Sequence, residues 1–128
     1  MLLAPLLASL AFTSASIDDR THDLYGWAFF TGHPAAGMSA QRFDGRLLTH
    51  VRAGRYRVHV KAVDVMPFRL LGPGVTRSTA TGASRGYTIY TTWNVRLRRG
   101  RYRYFAAGAY AREIFAHGGR ITGSFVVR

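Results

Sequence analysis

The sequence predicts an all-β protein, an antiparallel β-sandwich built from short strands. From Leu24 onward, apolar and polar side chains alternate with a period of two rather than 3.6, as they do on the two faces of a strand. Glycine-containing turns interrupt this alternation at short intervals, which is typical of sandwiches and argues against an α/β fold. The chain has 128 residues, of which 48% are apolar, so it can form one domain with one modest core.

Seven segments have the strand pattern, and one further segment predicts a single helical turn. The clearest alternation runs through 55–63, where Tyr56 and the alternating apolar residues face one way, and the basic residues and His59 face the other. In the same manner, Trp93 lies on the face of its strand opposite Arg96. The helical turn is predicted at 110–117. The predicted strands are 27–30, 38–43, 55–63, 68–71, 87–97, 101–105 and 123–127.

Two of these strands begin alike. The segments VRAGRYRVHV (51–60) and LRRGRYRYFA (97–106) share a basic turn, a glycine and then Arg-Tyr-Arg. In a strand, this order points Tyr56 and Tyr102 into the core and the arginines outward. A platform for single-stranded nucleic acid needs aromatic rings and cations on the same exposed face, so the pattern argues against nucleic-acid recognition.

The charge of the chain predicts an anionic partner. There are 18 Lys and Arg against 6 Asp and Glu, giving a net charge of +12, and every basic residue except Lys61 is arginine. Guanidinium groups suit phosphates, sulfates and carboxylates, so we expect an anionic polysaccharide, lipid headgroups or an acidic protein as partner. Which sheet each strand joins decides whether the arginines form one patch, and the sequence leaves this open. The candidate face comprises Arg55, Arg57, Arg96, Arg98, Arg101 and Arg103.

The N-terminal residues predict export. The uncharged run MLLAPLLASLAF is followed by the small residues TSAS, which is typical of a secretory signal peptide over 1–16, although the positive leading segment is missing. A buried strand or helix is the alternative. The run is too short to span a bilayer, and no second apolar run predicts a transmembrane anchor. We therefore expect a secreted or cell-envelope protein, with an N-terminal segment and first strand at 17–37 and the sandwich domain at 38–128.

The chemistry-bearing residues do not form a catalytic pattern. Cysteine is absent from the sequence, which excludes disulfides, thiolate nucleophiles and thiolate-ligated metals. Ser78, Ser84 and Ser124 have no nearby base in the sequence, and Glu113 has no carboxylate at a paired spacing. The sequence therefore predicts a protein that is not an enzyme.

Three segments resemble a known family. FRLLGPGVTRST (68–79), TTWNVRLRRGRYRYF (91–105) and ITGSFVV (121–127) occur in this order and resemble the small exported cupredoxin-like domains of bacteria, relatives of plastocyanin and azurin. The resemblance covers roughly 38–128 and implies a Greek-key β-sandwich of the cupredoxin type.

The same resemblance bears on the copper site. In the family, a type 1 copper is held by one histidine before the Gly-Pro-Gly loop and by a cysteine, a histidine and a methionine around the last strand pair. The resemblance places these ligands at Met66, Ala106, Ala109 and Ile121, and so implies a cupredoxin-like module without a copper cofactor, in a binding or structural role.

Two alternatives remain at this stage. One is a copper-binding electron-transfer protein with non-standard ligands, for which Met66 and His117 are the candidates. Two donors without a thiolate or carboxylate bind copper weakly, which counts against it. The other alternative is nonspecific nucleic-acid binding.

Overall fold

Nine strands make up the regular structure of the described residues. The computed structural model describes residues 20–28, 36–42, 46–63, 67–79, 88–107 and 121–128. The predicted signal peptide and helical turn lie outside these ranges. No helix within them is long and apolar enough to cross a membrane. The strands are β1 (His22–Ala28), β2 (Ala36–Ser39), β3 (His50–Val51), β4 (Gly54–Val63), β5 (Phe68–Gly72), β6 (Val75–Ser78), β7 (Thr88–Leu97), β8 (Gly100–Ala106) and β9 (Thr122–Val127).

The strands form two sheets, which confirms the predicted β-sandwich. The first sheet has the order β2-β1-β4-β7, and the second has the order β3-β9-β8-β5-β6. Both sheets are mixed rather than wholly antiparallel, because β1 runs parallel to β4 and β3 runs parallel to β9. Side chains alternate in the same way in parallel and antiparallel pairs, so the sequence pattern predicts the strands but not their directions.

The observed strands differ from the prediction by more than one residue at four places: β1 begins earlier, β2 spans Ala36–Ser39 rather than 38–43, and the short strands β3 and β6 are not among the predicted segments. β1 begins at His22 instead of Trp27, and its first two residues are exposed, so they lack the apolar alternation that marks a strand. β6 was not predicted at all, because only Val75 among its four residues is buried. It pairs with β5 across the turn residues Pro73 and Gly74, and Gly74 has a φ of +70° that favours glycine.

Aromatic rings join the two sheets. Phe68 of the second sheet stacks on Trp93 of the first, with ring centroids 6.2 Å apart, and also on Tyr104, at 5.9 Å. Tyr102 stacks on Phe125 at 5.4 Å. All five rings are buried, and Tyr56 is buried as well, so the inward orientation predicted for Tyr56, Trp93 and Tyr102 is confirmed.

Described residues cover one side of the outer face of the first sheet. Trp27 points to this face and is nevertheless buried, because it packs over Gly37 of β2. A side chain at Gly37 would collide with Trp27 and with Leu47, which shows that the segment containing Leu47 also lies against this side. The outward side chains of β4 and β7 on the other half of the sheet are mostly exposed.

Candidate anion-binding surface

Ala106, where the resemblance places the copper-binding cysteine, is the buried last residue of β8. Its N–H donates to the carbonyl oxygen of Ile121 at 2.7 Å, and the N–H of Ala107 donates to the carbonyl oxygen of Pro67 at 2.8 Å. Ile121, at the methionine position, is half-buried and packs against the core. The positions equivalent to the two histidine ligands, Met66 and Ala109, lie outside the described residues, as does His117.

The described part of this end offers cations instead of metal donors. A depression of about 380 Å³ is lined by Arg69, Arg103, Phe105, Ile121 and Thr122 among others. The guanidinium carbon of Arg103 lies 6.0 Å from the ring centroid of Phe105, within the range of a cation–π contact. Across the described ranges, no three His, Asp or Glu side chains are grouped closely enough to hold a metal ion.

The six arginines of the predicted anionic-ligand face do not share one face. Arg55 and Arg57 of β4 and Arg96 of β7 lie on the outer face of the first sheet. Arg101 and Arg103 of β8 lie on the outer face of the second sheet. The two outer faces of a sandwich point in opposite directions, so these five side chains fall into two separate groups.

The sixth, Arg98, lies where the chain crosses between the sheets. The segment from Arg96 to Arg101 leads from the end of β7 in the first sheet to the start of β8 in the second, and four of its six residues are arginine. Arg55 is the cross-strand partner of Arg96. We call this set the arginine arch; it comprises Arg55, Arg96, Arg98, Arg99 and Arg101.

Backbone and core contacts hold the arch in place. The N–H of Arg98 donates to the hydroxyl oxygen of Tyr102 at 2.9 Å, and that hydroxyl donates to the carbonyl oxygen of Pro73 at 3.0 Å. The Arg98 guanidinium group lies over Gly74 in the β5–β6 turn, where a larger residue would collide with it. The buried Tyr102 therefore links the arch to the neighbouring turn, which fixes the backbone that presents the arginines.

A second group of arginines lies at the same end of the sandwich. A depression of about 740 Å³ is formed by the beginnings of β1 and β4, the residues after β2 and the β3–β4 connection. Gln41, Arg42 and Arg52 line it, together with Asp23. Tyr56 donates a hydrogen bond to the carbonyl oxygen of Arg52 at 2.7 Å and so anchors this connection to the core.

The described residues carry far more positive than negative charge. Within the described ranges, Asp23 supplies the only side-chain carboxylate, whereas every range contains at least one arginine. His59 Nε2 lies 2.8 Å from Asp23 Oδ1, and this hydrogen bond is the main reason why the pKa of Asp23 is lowered. Arg55 and Arg96 face each other directly across the sheet, and like charges in such pairs repel.

Some surface residues were missed by the sequence reasoning. Arg99 belongs to the arch, but it lies in the turn between β7 and β8, where no strand alternation predicts the direction of its side chain. Tyr90 is 70% exposed, and the ammonium nitrogen of Lys61 lies 5.7 Å from its ring centroid. The signal for Tyr90 was present in the sequence, because it has the same alternation phase as Arg96 in β7.

The comparisons with known proteins bear on the fold. The sequence matches no protein-family model and no curated protein. A methionine-to-glutamine variant of rusticyanin matches the structure with a TM-score of 0.59 at 17% identity, covering 87% of this chain and 80% of that chain. Reduced rusticyanin has a TM-score of 0.58 at 14% identity, covering 88% of this chain and 82% of that one.

A third similar structure is rusticyanin from Thiobacillus ferrooxidans, with a TM-score of 0.56 at 15% identity, covering 87% of this chain and 79% of that chain. Rusticyanin is a copper protein. At identities this low, the similarity concerns the fold. The chain is thus an all-β protein with a cupredoxin-like β-sandwich.

Proposed function

We propose that the protein is an exported, non-catalytic cupredoxin-like module that binds an anionic polymer at the cell envelope and does not use a type 1 copper. The observation that carries this proposal is the arginine arch, which places cationic side chains around one end of the sandwich. The export step rests on the signal-peptide pattern at 1–16.

The chemistry of the arch favours a ligand with repeated negative charges. Arg96 lies near the end of β7 and Arg98 lies in the turn into the second sheet, and both are exposed. Guanidinium groups form two parallel hydrogen bonds with a carboxylate, sulfate or phosphate, and remain charged at any physiological pH. The nearby depression with Arg42 and Arg52 extends the basic region, so an extended polyanion would meet several arginines at once.

The residues at the copper end support a role without copper. A type 1 site depends on a cysteine thiolate, and the sequence contains no cysteine. Ala106 has no side-chain donor atom, and its amide is already bonded to Ile121. Nothing in the sequence suggests catalysis, so binding is the simplest use of the fold.

The similarity to rusticyanin favours one second candidate, a copper-binding electron-transfer protein with unusual ligands. Metal analysis of the purified full chain separates the two. We expect less than stoichiometric copper and no intense visible absorption of the kind that copper–thiolate bonds produce. One tightly bound copper per chain would favour the second candidate instead.

Matched double variants test the arch. The full chain is titrated with sodium polyphosphate and with polygalacturonate at several salt concentrations, as wild type, as Arg96→Gln/Arg98→Gln, and as Arg69→Gln/Arg103→Gln. Both variants lose two charges, and all four side chains are exposed. We expect the arch variant to bind about tenfold more weakly than the control variant and to show a shallower salt dependence, because fewer counterions are released.

Three outcomes would contradict the proposal. If the wild-type protein binds neither polymer, the proposed binding of an anionic polymer is wrong. Equal losses in the two double variants would mean that net charge, rather than the arch, drives binding. Binding that is insensitive to salt would exclude an electrostatic site.

A further inference from the structure

A polar strip runs from the arch along the open half of the first sheet. The register pairs Lys61 with Tyr90, His59 with Thr92 and Arg57 with Asn94, and all these positions share the outward alternation phase. Strand residues rise about 3.3 Å each, so the six steps from Tyr90 to Arg96 span about 20 Å. An elongated ligand held at the arch can therefore extend along β7 as far as Tyr90.

Tyr90 is the unusual residue of this strip. Its side chain is 70% exposed, whereas Trp93 on the opposite face of the same strand is only 7% exposed. Among the described residues, Tyr90 alone is a large, strongly exposed hydrophobic side chain. Beside its ring lies the cation of Lys61, at 5.7 Å. An accessible aromatic face next to an ammonium group suits a ligand that has both a flat apolar surface and a negative charge.

The side chain of His59, which lies next to Tyr90, is held in place by its neighbours. His59 stacks on Tyr25 with ring centroids 5.1 Å apart and an interplanar angle of 22°. Its Nε2 lies 2.8 Å from Asp23 Oδ1, and its Nδ1 lies 3.4 Å from Thr92 Oγ1. The imidazole ring is thus held on both edges and on one face, which gives the sheet surface a preorganised shape at this point.

A small depression lies between His59 and Tyr90. It measures about 270 Å³, and Tyr25, Arg42, His59, Tyr90 and Thr92 line it. Pockets for drug-sized ligands measure about 300–1,000 Å³, so this depression fits one ring-sized group rather than a larger molecule. Arg42 also lines the larger depression near the arch, which connects the two regions through one cation.

We propose that this depression is a subsite for one sugar residue of an acidic polysaccharide whose chain continues to the arginine arch. The C–H face of the sugar packs on the Tyr90 ring, its acidic group meets Lys61 or Arg42, and its hydroxyls meet Thr92 and Asn94. This inference rests on the proposed function, and it names the class of anionic polymer.

Two other classes of polymer fit the strip less well. Stacking platforms for single-stranded nucleic acid present several exposed rings to successive bases, and the described part of the strip presents one. Polyphosphate has no apolar surface, so Tyr90 would contribute nothing to its binding. Both polymers therefore serve as comparison ligands.

The test compares three polymers against two variants of one residue. Wild type, Tyr90→Ala and Tyr90→Phe, each as the full chain, are titrated with polygalacturonate, polyphosphate and poly(dT). We expect Tyr90→Ala to bind polygalacturonate about tenfold more weakly, the size of a typical cation–π or stacking contribution. Polyphosphate affinity should stay within about twofold, because the arch is intact. Tyr90→Phe should keep most of the polygalacturonate affinity, since it keeps the ring.

The outcomes separate the inference from the proposed function. Unchanged polygalacturonate binding by Tyr90→Ala, or equal weakening toward polygalacturonate and polyphosphate, would overturn the sugar subsite while leaving an anion-binding arch in place. Poly(dT) binding that depends on Tyr90, with no such effect for polygalacturonate, would assign the strip to nucleic acid. Wild-type protein that binds none of the polymers would remove both proposals. Tyr90 is exposed, so a thermal melt should show both variants folded.

Discussion

The strands β4 and β8 begin with the same four residues, Gly-Arg-Tyr-Arg, at 54–57 and 100–103, yet they present their arginines on opposite sides of the molecule. In both strands, the tyrosine is buried and the arginines are exposed. Because β4 belongs to the first sheet and β8 to the second, the same inward tyrosine requires opposite outward directions. Local alternation therefore decides which side chains face water, and the sheet topology decides which surface they build.

The two tyrosines also differ in how firmly they are held. Tyr102 is fully buried, accepts a hydrogen bond from the Arg98 amide and donates one to Pro73. Tyr56 is slightly exposed, and its hydroxyl donates to Arg52. One sequence motif thus gives two anchors, and each anchor holds an arginine-bearing turn at the same end of the sandwich.

The largest expected effect concerns the core that both strands share. Replacing Trp93, which stacks on Phe68 between the sheets, with alanine should destabilise the protein by about 3–5 kcal/mol, because it leaves a cavity where the two sheets meet. Tyr90→Ala on the outer face of the same strand is the matched control and should change stability by less than about 0.5 kcal/mol. Denaturant unfolding measures both. If Trp93→Ala has unchanged stability, then Trp93 does not face the core and the assigned inward and outward positions of β7 are wrong.

The glycines that begin the two strands should respond unequally. Gly54 and Gly100 have φ values of +157° and +143°, in a region that other residues rarely adopt. A β-carbon at Gly100 would lie 2.6 Å from Pro73, whereas one at Gly54 would have no atom within 4 Å. We expect Gly54→Ala to cost about 1–2 kcal/mol from backbone strain, and Gly100→Ala about 1 kcal/mol more. Equal unfolding midpoints for the two variants would contradict this difference.

Removing one hydroxyl at a time tests the two anchors. Tyr102→Phe leaves the Arg98 amide without its partner, and should cost about 1–3 kcal/mol. Tyr56→Phe removes one hydrogen bond at a more exposed position and should cost about 1 kcal/mol. Thermal or denaturant unfolding of the pair gives the ranking. A larger loss in Tyr56→Phe would show that the β3–β4 connection, rather than the arch, depends more on its tyrosine.

The smallest expected effect on stability is that of the Asp23 carboxylate, which lies on β1 beside β4. Because the hydrogen bond from His59 lowers the pKa of Asp23, this group stabilises the fold above the pKa it has when unfolded. That stabilisation is lost as the pH falls through the lowered pKa, below about pH 4. Asp23 is half exposed, so we expect less than about 1 kcal/mol. Wild type should lose slightly more stability than Asp23→Asn between pH 5 and pH 2, with the unfolding midpoint as the readout; identical pH profiles would contradict the pairing.

Much of the fold was predictable because alternation is a local property. Burial in β4 and β7, and the inward direction of Tyr56, Tyr102 and Trp93, follow from a period of two. The parallel pairing of β1 with β4 does not follow, since Tyr25 and His59 are 34 positions apart and nothing local encodes their contact. β6 escaped prediction because it lies at a sheet edge, where three of four side chains face water.

The candidate site was predictable only in part for a related reason. Outward directions of Arg55, Arg57 and Arg103 are confirmed by their exposure. The division of the six arginines between two faces depends on the sheet order, which is a tertiary property. Arg99 was overlooked because turn residues have no alternation phase. The arch depends on the crossing between β7 and β8, which alternation within a strand does not predict.

Mapping the bound polyanion on the protein tests the central proposal most directly. Uniformly ¹⁵N-labelled full chain is titrated with short-chain polyphosphate, and the backbone amide shifts are followed by NMR. We predict that the largest shifts cluster at 52–57 and 96–101, around the arginine arch, and that they become clearly smaller at the same polymer concentration when Arg96 and Arg98 are changed to Gln. Shifts concentrated instead at 103–107 and 121–122, near Ala106, would contradict the account and assign ligand binding to the other end of the sandwich.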